Sequence, residues 1–591
     1  DERKIDVGMM ARDARNLLDL AIGEMRPPAP APALGIVRHK VSSEDWIMRG
    51  ILGAIALYLL VAIVLPLYAL LSKGFQDKDG NFTGLDNFTE FFTTPALSQS
   101  VANSLTISSI STVIVVSLAF VYAYALTRSC MAFKSLFKGI ALIPILMPSL
   151  LPAISLIFMF GKQGFLTFML FGNEIYGPIG IVMGEVIYIF PHVLMIILIS
   201  MSMSDGRLYE ASQSLGAGPV RTFFTVTLPS IRYGLVSAGF VAFTLIITDF
   251  GVPKVVGGQY NVLATDVYKQ VIGRQDFEMG AVVSMVLLVP AVIAFAADRI
   301  IQRKQVAILT ARAVPYAPTP SPRFDAIMTA YCALVGIVIV GILSVAMFAS
   351  LVKFWPYNLS LTLANYDFSL RDGGGWDSYF NSVKMASWTA VIGTCVIFTG
   401  AYLVEKSKGF LAGRAAMQFL VMMPMAVPGL SLGLAYIFFF NHPGNPLNFL
   451  YHTLPILVIC TITHFYTVSH LTAITALKQI DNEFESVSAS LKVPFYKTFW
   501  RVTVPICVPA ILDISMYLFV NAMTTVSAVV FLYSPDTALA SVAVLNMDDA
   551  GEQASAAAMG IMIVLTAGGA RLLHAVLTRG LARRTQAWRK R

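Results

Sequence analysis

About a dozen apolar runs limit what this chain can become. Each is long enough to cross roughly 30 Å of hydrocarbon at about 1.5 Å per helical residue. The first six fall at 51–71, 104–126, 140–160, 179–201, 231–252 and 281–297, and the second six at 327–352, 383–404, 417–440, 454–476, 506–532 and 556–575. Composition agrees: 56% of the residues are apolar and 13% charged, whereas soluble domains carry about a quarter charged residues. The sequence therefore predicts an all-α polytopic membrane protein.

The runs form two sets because the chain repeats itself. Two polar islands, 205–229 and 481–505, interrupt the apolar pattern at an offset of 276, which pairs Asp205 with Asp481, Ser214 with Ser490, Leu215 with Leu491, Thr222 with Thr498 and Pro229 with Pro505. The match extends further. Asn103-Ser104 and Asn381-Ser382 open corresponding runs, Arg128-Ser129 and Lys406-Ser407 end them, and Pro144 and Pro148 correspond to Pro424 and Pro428, where kinks are expected. Both islands follow the fourth run of their set, so the halves are parallel and related by a pseudo-two-fold along the membrane normal. Asp205 and Asp481 are good N-caps, so each island should start with a short helix. Gly216-Ala217-Gly218-Pro219 ends the first, and Val493-Pro494 ends the second less permissively.

Glu210, Ala211, Ser212, Gly216, Leu228 and Pro229 resemble the EAA loop of bacterial ABC-importer permeases, with Ser212 in place of the second alanine. The second island departs further: Ser486 stands where Glu210 stands, Glu485 is one position early, and Lys492 replaces the glycine, while Ser490 and Pro505 keep the register. The duplicated region is similar to fused permeases of the ferric-iron, thiamine and phosphonate group. The segments 441–448 and 534–536 resemble 2-aminoethylphosphonate permeases, with ferric iron as the runner-up cargo. The resemblance implies a bacterial inner-membrane subunit that translocates a small polar solute by alternating access. It also implies two ATP-binding cassette subunits docking on the islands and a periplasmic binding protein delivering cargo. ATP and Mg would be held by the partner ATPase, since this chain has no phosphate loop.

Lys and Arg near span ends mark the cytoplasmic side. Arg38, Lys40, Arg49, Arg128, Lys134, Lys138, Arg299, Arg303, Lys304, Arg312, Arg323, Arg583, Arg584, Arg589, Lys590 and Arg591 fall together with both islands if the runs alternate. Both termini are then cytoplasmic, and the positive net charge reflects topology, with the bilayer and not nucleic acid as its partner. The expected divisions are a tail at 1–47, a first permease repeat at 48–301, a Pro-rich linker at 302–325 that includes Pro315, Pro318, Pro320 and Pro322, a second repeat at 326–580, and a basic tail at 581–591. The five cysteines, Cys130, Cys332, Cys395, Cys460 and Cys507, are scattered and suggest neither a disulfide framework nor a metal knuckle.

No catalytic constellation and no resident metal motif stands out. Ionisable residues at membrane depth are the remaining candidates, because a charge there needs a cavity or a partner. Asp249, with Thr525 as its counterpart, either lines a pathway or caps the end of its span beside Pro253. Glu185 and His464 correspond at a slightly larger offset, and either face a pathway or make interhelical hydrogen bonds. A rival reading is a secondary transporter of the major-facilitator type, which also has about twelve spans in parallel halves. It would not need two islands, and the segment 128–138 lacks the Gly-Asp-Arg signature of that class.

Overall fold

The computed structural model describes residues 43–308, 314, 316–407, 410–481 and 483–585. Most of the expected N-terminal tail, Pro315, Arg312 and the end of the basic C-terminal tail lie outside these residues. Among the described residues, nine helices are long and apolar enough to cross a membrane, and three bent helix pairs bring the number to twelve if each counts as one span. A two-stranded antiparallel ribbon, Val352–Phe354 with Asn358–Leu361, is the one sheet among the described residues.

The expected kinks at the paired prolines are sharp breaks. Lys134–Leu146 turns by 102° into Leu150–Phe160, and Leu411–Ala426 turns by 111° into Gly429–Phe440. The cause is local: Met147 and Val427 precede Pro148 and Pro428, and the proline ring drives the residue before it out of the helical region. Both are extended, with ψ of 140° and 119°. Each break packs against the end of the fifth span of its own repeat through a glycine–serine contact whose members are exchanged between the halves. A Cβ on Gly251 would stand 2.0 Å from the Ser149 hydroxyl, and one on Gly429 would stand 2.4 Å from the Ser527 hydroxyl. Without a hydrophobic drive between helices in lipid, such close approach is what holds them.

The tenth run differs from the sequence expectation of one straight span. It breaks by 55° between Leu454–His464 and Tyr466–Lys478, with neither proline nor glycine at the junction. The hydroxyls of Thr461 and Thr463 donate to the carbonyls of Leu457 and Ile459 at 2.7 and 2.8 Å, and such back-bonding bends helices. Its counterpart Pro178–Ser202 stays continuous although it contains Pro191.

The repeats exchange their first spans. Tyr58, in the first span, shares a 3.0 Å hydrogen bond with Thr463 of the second repeat, and Ile55 lies against Gly400. In the other direction, Tyr331 of Pro322–Leu351 donates to the Leu118 carbonyl at 2.8 Å. Ala346 of the same helix joins Met147, Leu151, Ile561 and Val564 in one buried cluster. The sequence boundaries thus divide the chain by repeat and not by packing.

Within each repeat the corresponding contacts are reproduced. Asn103 Nδ2 donates to the Asn261 carbonyl, and Asn381 Nδ2 to the Asp536 carbonyl, both at 2.9 Å. Ser104 and Ser382 accept from the backbone N–H of Leu263 and Ala540 at 2.8 and 2.7 Å.

At the end of the bundle opposite the islands, Lys254 of the first repeat pairs with Asp549 of the second at 2.8 Å, and its ammonium lies 5.1 Å from the Tyr268 ring centroid. Beside this bridge the Asp548 carboxyl is pushed up to about 7, chiefly by burial and then by Asp549, against the pull of Lys254. The folded state therefore holds this proton more tightly than an unfolded chain, whose aspartate titrates near about 4. Its contribution to stability is complete below that value and is lost as pH rises toward and through about 7. Wild-type chain should lose thermal stability between pH 5 and 8 relative to Asp548→Asn, and parallel melting curves for the two would contradict this.

Candidate functional site

The two islands fold alike, residue by residue. Gly206–Ser214 and Glu483–Ser490 are short helices. Asp205 and Asp481 cap them, each side chain accepting a backbone N–H two residues on at 3.1 Å. Ser212 hydrogen-bonds the Thr222 hydroxyl at 2.8 Å, and Ser488 bonds Thr498 in the same way. Next come a short helix, Pro219–Thr222 or Phe495–Thr498, and a π turn, Phe223–Thr227 or Phe499–Thr503. The long helices Leu228–Thr248 and Val504–Thr524 follow, with Pro229 and Pro505 in their first turns.

The glycine that the second island lacks is needed for its backbone. Gly216 has φ of +73°, and Lys492 takes the same left-handed turn at +54°. A side chain in this region costs about 1 kcal/mol. Lys492→Gly should therefore stabilise the second island by about 0.5–1 kcal/mol and Gly216→Ala should destabilise the first by about the same, read as opposite changes in protease resistance at the two sites.

Glu210, Ala211, Gly216, Ser486, Ser490 and Lys492 are exposed, Ser212 is buried, and Leu228 is half-buried. The largest apolar projections are Leu215, 85% exposed, and Leu491, 70% exposed, at matched positions. An open groove of about 1070 Å³ adjoins the second helix, with Ile480, Phe484, Val487 and Leu491 on its apolar wall and Lys497 and Arg501 on its rim.

Glu485 does not project from the surface as Glu210 does. It pairs with Lys406 at 3.0 Å and so ties its helix to the end of the eighth span. The first repeat makes the same tie with different chemistry: Arg128, the counterpart of Lys406, donates to the hydroxyl of Tyr209, the counterpart of Glu485, at 3.1 Å. Sequence reasoning missed Arg128, Tyr209 and Lys406 as a set. The signal was present, since arginine with tyrosine in one half becomes lysine with glutamate in the other.

Inside the bundle, the structure brings Glu185 and Asp249 together. Asp249 ends Leu228–Thr248 and its carboxylate accepts the Val252 N–H at 2.9 Å, so it does cap, while the Glu185 carboxyl lies beside it. Glu185 is wholly buried, and neither of its oxygens has a hydrogen bond of good geometry. Ser149, from the break in the third span, adds a hydroxyl next to Asp249. Tyr188, one turn beyond Glu185, is within electrostatic reach of both carboxyls and of Tyr517 from the second repeat. These two tyrosines were not anticipated.

Two adjacent carboxyls in a low-dielectric interior do not both carry charge unless a cation stands between them; otherwise they share a proton. Among the described residues, no lysine or arginine acts on either carboxyl. In the second repeat, Thr525 occupies the backbone position of Asp249, with ψ of 135° against 137°, and its carbonyl accepts the Ser541 hydroxyl at 2.6 Å. His464 ends its helix with a buried, unpartnered Nδ1, and it shares no hydrogen bond with Thr525. The acidic site is therefore one-sided.

Among the described residues the chain is thus a duplicated helical bundle with paired surface islands, a polar interior cluster and nine to twelve candidate spans. The profile of the family "Binding-protein-dependent transport system inner membrane component" matches twice, over residues 128–306 and 397–583. The chain belongs to this family. It is 28% identical over 544 residues to the ferric transport system permease protein FbpB of Actinobacillus pleuropneumoniae, covering 89% of this chain and 77% of that one. The Fe(3+)-transport system permease protein FbpB 2 of Haemophilus influenzae is 22% identical, covering 82% and 91%. One chain of a solved bacterial ABC transporter involved in alginate import matches 45% of this chain and 97% of its own length, at 16% identity and a TM-score of 0.38, a likeness too slight to support any inference.

Proposed function

We propose that this chain is the permease of an ABC importer for a cationic cargo, with ferric iron as the best-supported candidate. In this reading the basic span ends and both islands face the cytoplasm. Two ATP-binding cassette subunits, which hold ATP and Mg, dock on Gly206–Ser214 and Glu483–Ser490. A periplasmic binding protein delivers cargo to the opposite end, and ATP-driven closure rocks the repeats between inward and outward access. Such a cycle needs the ligand and nucleotide to bind the two states unequally.

The observation that carries the cargo assignment is the Glu185–Asp249 pair. It offers hard oxygen donors, with Ser149, Tyr188 and Tyr517 nearby, and carboxylate and phenol oxygens suit a hard cation. The FbpB relatives favour the same choice.

2-Aminoethylphosphonate is the second reading. Its ammonium would suit the same carboxyls, and Ser534, in one of the segments that resemble phosphonate permeases, donates to the carbonyl of His452, four residues beyond the other segment, at 3.2 Å. Its phosphonate group would want a cation or a helix N-terminus, and no lysine or arginine stands beside the pair. Growth of a deletion strain decides between them. Failure under iron limitation, restored by the intact gene, supports ferric iron, whereas failure only with 2-aminoethylphosphonate as phosphorus source selects the phosphonate.

A further inference from the structure

We infer that the linker between the repeats is a working part of the first docking helix, so that two ATPase subunits meet two differently built seats. This rests on reading the islands as ATPase docking sites. Val314 and Tyr316 of the linker lie against the first island. The Val314 carbonyl accepts the Gly206 N–H at 2.7 Å, satisfying one of the donors left open at the helix start, and the Val314 N–H reaches Asp205 Oδ1 at 3.4 Å. Two residues on, the Tyr316 ring packs on Tyr209 with centroids 4.5 Å apart.

Between these elements lies Arg128, a buried cation with no carboxylate among its bonded partners. Its guanidinium carbon is 4.8 Å from the Tyr209 ring centroid and 4.6 Å from that of Tyr316. Its nitrogen donates to the Tyr209 hydroxyl, the Met201 carbonyl at 3.2 Å and the Ser204 hydroxyl. A desolvated guanidinium is stabilised by aromatic faces, and one of the two is contributed by the linker. The linker is in turn anchored beyond Tyr316. Asp325 accepts the Cys130 N–H at 2.7 Å and the Ser321 N–H at 3.0 Å, and the Pro318 carbonyl accepts the Cys130 thiol at 3.3 Å. Span end, docking helix and linker are thereby one assembly.

Among the described residues, the second docking helix is tied to its span end by different chemistry. Lys406 pairs with Glu485 and also donates to the Ile480 carbonyl at 3.4 Å. Tyr316 is therefore a positioning residue for the first docking helix. Severing its contact should loosen that helix and weaken the conversion of ATP closure into movement of the repeats.

Hydrogen exchange on the full-length chain in lipid nanodiscs, with transport by the complete complex measured beside it, tests this. Tyr316→Ala should raise exchange of amides 206–214 by about tenfold and leave 483–490 unchanged. Asp325→Ala, which frees the other anchor, should move the same amides less. In vesicles with the ATPase and the binding protein, Tyr316→Ala should lower the maximal rate of cargo-stimulated ATP hydrolysis with an unchanged cargo KM. Tyr316→Phe, which keeps the ring, should behave as wild type. Unchanged exchange at 206–214 in both loosening variants, an equal rise at both islands, or loosened exchange with wild-type coupling would each overturn the inference. Failure of the docking reading is separately visible: wild-type chain would then retain no ATPase, whatever the exchange pattern.

Discussion

Replacing Glu185 with Gln and Asp249 with Asn together lowers cargo transport by about a hundredfold or more, while the chain still inserts and still retains its ATPase. The expectation follows from the absence of any basic neighbour for the pair. A cation entering the site replaces its hydration by these two carboxyls, and each lost charge-assisted contact costs about 1.5–3 kcal/mol. At about 1.4 kcal/mol per factor of ten, losing both exceeds two orders of magnitude. Each single variant should lower transport by at least about tenfold. Tyr517→Phe, which removes a hydroxyl at the margin of the site, should lower transport only a few-fold. Uptake close to wild type in the double variant would move the pathway elsewhere and remove the main argument for a cationic cargo.

Leu215→Asp combined with Leu491→Asp releases the ATPase. These leucines are the most exposed apolar side chains on their islands, at matched positions beyond the two capped helices, where a buried anchor on a partner would form. Loss of an apolar interface anchor costs about 2 kcal/mol or more, and a buried aspartate adds its desolvation, so co-purification should fall by at least about thirtyfold per site. Glu210→Ala with Gly216→Pro should weaken the first site alone. An ATPase that remains bound to the leucine double variant would show that the islands are not the docking surface.

Much of the architecture is legible in the sequence because lipid imposes length and the duplication imposes register. The paired islands fall at an offset of 276, the Asn103-Ser104 and Asn381-Ser382 contacts at 278 and the proline breaks at 280, so the register drifts by only four residues between the halves. What is not legible depends on neighbours rather than on pattern. The break beside Phe465 follows two threonine hydroxyls that bond carbonyls of their own helix, and no periodicity marks it. The exchange of first spans leaves each apolar run unchanged, so the run cannot say which repeat it covers.

In the candidate site, Glu185 and Asp249 are conspicuous as acids in apolar runs, but their adjacency depends on the break that ends the fifth span at Asp249. Tyr188 and Tyr517 pass as ordinary membrane aromatics until the fold brings them near. Lys492 reads as a departure from the glycine of the first island, yet the backbone turns identically and the cost is carried as strain. Glu485 reads as a displaced motif glutamate, and its pairing with Lys406 gives it a positioning task instead.

The most direct test of the account is uptake into proteoliposomes containing the chain, its ATPase and its binding protein, with ferric iron and 2-aminoethylphosphonate offered in parallel. Ferric iron should accumulate only with ATP, the binding protein and both islands intact, and its uptake should be indifferent to an imposed proton or sodium gradient. Accumulation driven by such a gradient in the absence of ATP and ATPase would contradict it and return the chain to the secondary transporters.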